Sequence, residues 1–164
     1  MRRAAVVSLM VLGACAPVTR APPSAELYAR FALVSQPVTA AGQLTLGGRA
    51  MQCGAAKTVM DRALRDYGAA IGDFIVLNPD RLAGAPPDAQ LWVYAHECGH
   101  LNGRTDEAAA DCFGVRKGRD EGWLDAGGLD TVCAFVTKVA PDHLHAPGAD
   151  RCAAMRRCFA SSAR

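Results

Sequence analysis

An α+β domain, with a helix hairpin set against a small sheet, is predicted by three observations on this 164-residue chain. Phe74-Ile75-Val76-Leu77 is a short β-type run stopped by Asn78-Pro79. Pro86-Pro87-Asp88 opens a helical stretch that runs to about Asn102, and Gly103 suits the left-handed position just past a helix end. A further helical stretch from Asp106 to about Lys117 follows after a short turn, so the two helices are expected to fold back on one another.

The remaining elements follow from pattern. Gln43 to Met51, with Gly47-Gly48 at its centre, reads as a hairpin. Gly54 to Gly68 places Val59, Met60, Ala63, Leu64 and Tyr67 at helical spacing with charged residues between them, which predicts an amphipathic helix closed by glycine. Asp88 is the expected N-cap of the helix to Asn102, and Thr105 of the helix to Lys117. Leu129 to Val139 and Ala149 to Phe159 also read as helices. Trp92 and Trp123 are expected in core or rim packing, and Arg151, Arg156 and Arg157 on a solvated helix face.

Eighteen basic against sixteen acidic residues leave no electrostatic footprint for nucleic acid. With Arg2 and Arg3 in a segment expected to be removed, the remaining chain is formally neutral. Met1-Arg2-Arg3 is a positive start to an apolar run from Ala4 to Leu12, too short for a bilayer span of about 20 residues but suited to a signal peptide. The run ends in Leu12-Gly13-Ala14-Cys15, which resembles a bacterial lipobox. That resemblance implies a signal peptide over 1–14, lipidation of Cys15 and a tether over 15–23, with Pro17 to Pro23 extended. The folded domain is expected over 24–164. Ala16 carries no signal for inner-membrane retention, so an outer-membrane protein facing the periplasm is expected. Six cysteines remain (Cys53, Cys98, Cys112, Cys133, Cys152, Cys158), an even number that in an exported chain points to disulfides of open connectivity.

Residues 96–100 read His-Glu-Cys-Gly-His, the HExxH pattern. Histidines four apart lie on one helix face, about 40° apart, so His96 and His100 can bind one Zn2+ together. Glu97 lies about 100° further round, where it can reach an activated water without being a ligand. Cys98 falls on the opposite, apolar face, which makes it a core thiol or a disulfide partner. Glu107 follows seven residues after His100. If the intervening turn reverses the chain, it supplies a third ligand, and Asp111 one turn on can accept the free N–H of a ligand histidine. The run Ala108-Ala109-Ala110 allows close helix approach. A rival reading takes Asp106 as third ligand, because 96–106 also fits HExxHxxGxxD.

HExxH followed by glutamate and an aspartate four residues later resembles the gluzincin metallopeptidases. More narrowly, the pattern is similar to the family of the CAAX prenyl proteases and their small periplasmic relatives. The resemblance implies a minimal zincin-like fold, and places Phe74–Leu77 where zincins keep the edge strand that binds extended substrate. His145-Ala146-Pro147 with Arg151 is similar to a His-Pro segment and an arginine near that family's C-terminus, which makes His145 a candidate oxyanion stabiliser.

The expected activity is zinc-dependent hydrolysis of peptide bonds with Glu97 as general base. Its expected partners are a peptide or protein substrate in the cell envelope and the membrane through the lipid anchor. A zinc-binding but catalytically silent envelope lipoprotein, acting as scaffold or assembly factor, and a metallo-amidase acting on cell-wall peptide are the alternatives.

Overall fold

The computed structural model describes residues 24–161, so the signal segment, Cys15 and the tether lie outside the described residues. The fold is a small α+β arrangement of six helices and two small sheets. Helix α1 (Ala25–Phe31) begins after Ser24, whose side chain accepts the Leu27 N–H at 3.2 Å. Strands β1 (Leu44–Leu46) and β2 (Arg49–Met51) form the expected antiparallel hairpin. Gly47 and Gly48 turn it at φ of 53° and 80°, values that only glycine adopts without strain.

The main sheet has three strands: β3 (Thr58–Met60), β4 (Gly68–Ile71) and β5 (Phe74–Leu77), in the order β3-β5-β4. β3 runs parallel to β5, and β4 runs antiparallel to it with Gly68 opposite Leu77. Phe74–Leu77 is therefore a strand as expected but not the edge. It is the central strand, buried at all four positions, and β4 is the edge beside α3.

The helix expected over Gly54 to Gly68 is not formed; β3, a loop and the start of β4 occupy it. Val59 and Met60 are adjacent and point to opposite faces of the sheet, a period of two that the helical count absorbed. The residues that follow Met60 serve the loop. Asp61 accepts the Ala63 N–H at 2.8 Å, and Asn78 Nδ2 donates to the carbonyls of Arg62 and Leu64 at 3.1 and 2.8 Å.

Asn78-Pro79 not only stops β5 but opens helix α2 (Pro79–Ala83). Asn78 is its N-cap and Pro79 its first residue, an arrangement suited to proline because no N–H is needed there. Then come α3 (Pro87–Leu101), α4 (Glu107–Asp120), α5 (Ala126–Val136) and α6 (Gly148–Ala160). Two caps differ from expectation. α3 starts at Pro87 behind Pro86 with no side-chain cap, leaving Asp88 in its first turn. α4 is capped by Asp106, not Thr105, through a 2.8 Å bond from the Ala109 N–H. Gly103 sits beyond α3 at φ 78°, as expected.

The sheet is covered on both faces. Phe74 and Val76 of β5 and Val59 of β3 meet Ala25 and Ala29 of α1. Ile75 and Leu77 point the other way, into the larger core built on α3, where Tyr94, Val115, Val132, Val136 and Met155 are fully buried. Trp92 and Trp123 are both buried in that core. Three disulfides brace the layers: Cys53–Cys98 ties α3 to the segment before β3, Cys112–Cys158 ties α4 to α6, and Cys133–Cys152 ties α5 to α6. Among the described residues, no helix is long and apolar enough to cross a membrane.

Candidate metal centre

The site is built on the α3–α4 hairpin. Gly99 and Ala110 let the two helices approach closely, since a Cβ on Gly99 would lie 3.2 Å from the Ala110 Cα. The turn is held by Asn102 N–H bonds to the carbonyls of Cys98 and Gly99 and by Arg104 N–H to Gly99, each 3.0 Å. This returns the chain so that Glu107, the first residue of α4, faces the last turns of α3.

Glu107 Oε2 lies 3.0 Å from His96 Nε2, 3.6 Å from His100 Nε2 and 2.9 Å from His145 Nε2. The two α3 histidines bring their Nε2 atoms within 3.1 Å of each other. His96, Glu107 and His145 form a group able to hold a metal ion. These separations bracket the roughly 3.3 Å edge of a tetrahedron with bonds of about 2.0–2.1 Å.

The other ring nitrogens are partnered as well. His96 Nδ1 is 2.9 Å from Asp111 Oδ1, His100 Nδ1 is 2.7 Å from the Arg104 carbonyl, and His145 Nδ1 is 3.0 Å from Asp142 Oδ1. Each partner is an acceptor, so a neutral imidazole in any of these places keeps its proton on Nδ1 and offers its Nε2 lone pair inward. Three lone pairs and a carboxylate then face one another, which is unfavourable until a proton or a metal ion sits among them. Glu107 Oε2 is buried and has no hydrogen-bond partner of good geometry, which leaves its acceptor capacity open to an ion.

Protonation follows the same geometry. Burial alone would push the His96 imidazole down, but Asp111 and Glu107 on its two nitrogens prevail and raise it to about 9. His96 beside Glu107 is the largest influence holding that carboxyl below its ordinary range. Burial pushes the Glu97 carboxyl above the ordinary range, against the pull of His96 and His100.

Glu97 is 8% exposed and lines a cleft of about 640 Å³ together with His96, His100, Glu107 and His145. Its side chain lies against β4, where a Cβ on Gly68 would come within 2.9 Å of Glu97 Cγ. Phe135, Val136, Val139 and Leu144 add apolar lining to the cleft.

The structure brings His96, Glu97, His100, Glu107 and Asp111 together as the spacing suggested, with His145 beside them. His145, expected as an oxyanion stabiliser, has its Nε2 against Glu107 Oε2, within the group that can hold an ion. Asp106 Oδ1 caps α4 by accepting the Ala109 N–H, and Asp106 is not among the residues of the group that can hold an ion. Cys98 is a disulfide partner. Arg151 is not on a solvated face: its side chain is 10% exposed and grips Asp111 through two bonds of 2.7 and 2.8 Å. A helical count on α6 alone could not show this, because the partner carboxylate sits 40 residues away.

The chain matches no protein-family model, no curated protein and no solved structure. Fold and site together define a small, disulfide-braced α+β protein with a histidine–glutamate group competent to hold a metal ion.

Proposed function

We propose that this chain is an exported zinc-dependent metallopeptidase of the zincin type, held in the cell envelope by a lipid on Cys15. The observation that supports it best is the convergence on Glu107 of imidazole nitrogens whose Nδ1 partners leave their lone pairs facing inward. Imidazole and carboxylate donors at these separations suit zinc. When bound, the ion supplies Lewis acidity that acidifies a water and polarises a carbonyl.

The chain's own residues supply the rest. Glu97 accepts the proton of the attacking water and returns it to the leaving amine. Its burial favours the protonated intermediate state that this return requires. Asp111, fixed by Arg151, holds the His96 ring in one tautomer and orientation. β4, at the sheet edge with Gly68, Ala69 and Ala70 lining the cleft, offers main-chain groups to an extended peptide.

Elemental analysis of purified chain tests the site: one zinc per chain is expected, lost in Glu107→Ala and retained in Asp106→Ala. Glu97→Gln should keep zinc and lose turnover of peptide substrates. Full activity in that variant removes the mechanism.

The position of His145 favours a second reading. Four protein ligands close a zinc site, whereas catalytic sites keep a position open. With His145 fixed by Asp142 as the fourth ligand, the chain would be a silent zinc-binding lipoprotein. Zinc-loaded wild type that fails to cleave a peptide library, while zinc-loaded His145→Ala chain cleaves it, would favour it.

A further inference from the structure

The first folded element carries apolar residues that the rest of the fold does not use. α1 turns Ala25 and Ala29 inward onto the sheet. Leu27 and Phe31, one helical turn apart on its outer side, are 44% and 79% exposed, and Leu33 just beyond is 88% exposed. No described residue covers them. Arg30, also exposed, lies between them in sequence.

Leu33 is more than a loose end. Its φ of 53° is the left-handed conformation, the one such value among the described non-glycine residues. The Val34 N–H bonds to the Ala29 carbonyl at 3.0 Å, so Leu33 occupies the place in a helix-ending motif where glycine is favoured. Glycine would relieve the backbone there; leucine instead projects an apolar side chain into solvent.

The chain outside the described residues indicates what meets this face. From Cys15, the expected lipid attachment, to Ser24 is nine residues, a reach of at most about 30 Å even when fully extended. α1 therefore stays near the bilayer to which Cys15 is attached. Leucine and phenylalanine beside an arginine make up the kind of face that settles at the boundary of headgroups and acyl chains.

We propose that Leu27, Phe31 and Leu33 dock α1 on the phospholipid surface that holds the anchor, and that this orients the cleft toward the aqueous compartment. α1 covers the Phe74/Val76 face of the sheet, and α3, with His96, Glu97 and His100, lies on the Ile75/Leu77 side. With α1 on lipid, the sheet stands between the bilayer and α3. Substrates then reach the cleft as water-borne peptide or protein segments, not as segments embedded in the bilayer. The docking rests on the lipid anchor and is independent of the metal chemistry.

Depth-dependent quenching tests it on the full lipidated chain in phosphatidylethanolamine–phosphatidylglycerol vesicles with brominated acyl chains. The native indoles of Trp92 and Trp123 are buried and provide the background. In a Phe31→Trp chain the added emission should fall about twofold or more, as expected for a side chain some 5–10 Å into the interface. In a Leu144→Trp chain, at the cleft rim, it should not fall. Leu33→Gly should keep or raise thermal stability while lifting the Phe31→Trp indole out of reach of the quencher.

A chain that does not float with the vesicles overturns the anchor and the docking together. A floating chain with an unquenched Phe31→Trp indole overturns the docking alone. Quenching at Leu144→Trp instead reverses the orientation. A detergent-solubilised dimer that Phe31→Ser dissociates assigns the face to a second copy and overturns the proposal.

Discussion

Asp111 binds His96 and Arg151 with the same carboxylate: Oδ1 is 2.9 Å from His96 Nδ1 and 2.7 Å from Arg151 Nη2, and Oδ2 is 2.8 Å from Arg151 Nε. Asp111 is 1% exposed, and burial on its own would favour the neutral acid. Arg151 first, then His96, hold its carboxyl below the ordinary range. The charge is therefore kept to orient an imidazole. Removing one partner of such a buried pair typically costs about 3–5 kcal/mol. Arg151→Met should lower stability to denaturant on that scale. Asp111→Asn should weaken zinc binding about 10–100-fold, read by competition with a chromophoric chelator.

Gly68 decides where Glu97 can stand. A Cβ there would lie 2.9 Å from Glu97 Cγ, 3.1 Å from Oε1 and 3.2 Å from Leu77 Cδ2, so Gly68→Ala must push the glutamate, the strand or both. Forcing a methyl into packed surroundings costs about 1–3 kcal/mol. The expected outcome is a folded chain that still binds one zinc, with turnover reduced about tenfold or more because the base is displaced. Undiminished turnover would mean that Glu97 is not held by this contact.

His145 can be tested by what its loss releases. Asp142 accepts the Leu144 and His145 N–H groups and the His145 ring, which pins the imidazole over Glu107. These bonds, the His145 N–H foremost, depress the Asp142 carboxyl well below its ordinary value, so the pin stays charged across the physiological range. If His145 fills a coordination position, His145→Ala should bind zinc more weakly yet cleave peptides faster. A fall in turnover with unchanged zinc affinity would return His145 to an oxyanion-stabilising role.

What could be read from the sequence depended on the range of the interactions. The hairpin from His96 to Asp111 was legible because HExxH, Gly103 and the Glu107/Asp111 spacing are all set by one helix turn or one chain reversal. The Gly47-Gly48 hairpin was legible for the same reason. Val59, Met60, Ala63, Leu64 and Tyr67 misled because a strand followed by a loop can place apolar residues at intervals that also suit a helix. The edge position of β4 depends on strand order, which Gly68-Ala69-Ala70-Ile71 does not encode locally. His145 and Arg151 were marked only by resemblance; their contacts with Glu107 and Asp111 arise from tertiary packing across 38 and 40 residues. The disulfide pairing was open for the same reason.

The disulfides rank by the loops they close. Cys53–Cys98 and Cys112–Cys158 span 45 and 46 residues, and Cys133–Cys152 spans 19. In the chain-entropy account the long loops are each worth about 4 kcal/mol and the short one about 3 kcal/mol. Cys112→Ala/Cys158→Ala should therefore lower stability more than Cys133→Ala/Cys152→Ala. Cys53→Ala/Cys98→Ala should also loosen zinc, since Cys98 lies between the two histidines of α3. Chelator competition on that pair separates the local effect from the global one, which Cys112→Ala/Cys158→Ala should show without comparable loss of metal.

α1 offers a pH test remote from the metal centre. The Tyr28 hydroxyl donates to Asp61 Oδ2 at 2.8 Å, and its ring packs on Phe74 at 5.6 Å between centroids. Burial first, and then Asp61, raise the phenol to about 12 from its ordinary 10.0. A folded-state value above the unfolded one means that the neutral phenol is favoured by folding. The stabilisation is complete below pH 10.0 and fades as pH rises through about 12. Phenolate absorbance of wild type minus Tyr28→Phe should place this tyrosine near 12, and between pH 10 and 12 wild type should lose stability faster than the variant. A phenol titrating at its ordinary value would mean that α1 leaves the sheet in solution, and that the contact between Tyr28 and Asp61 does not hold it there.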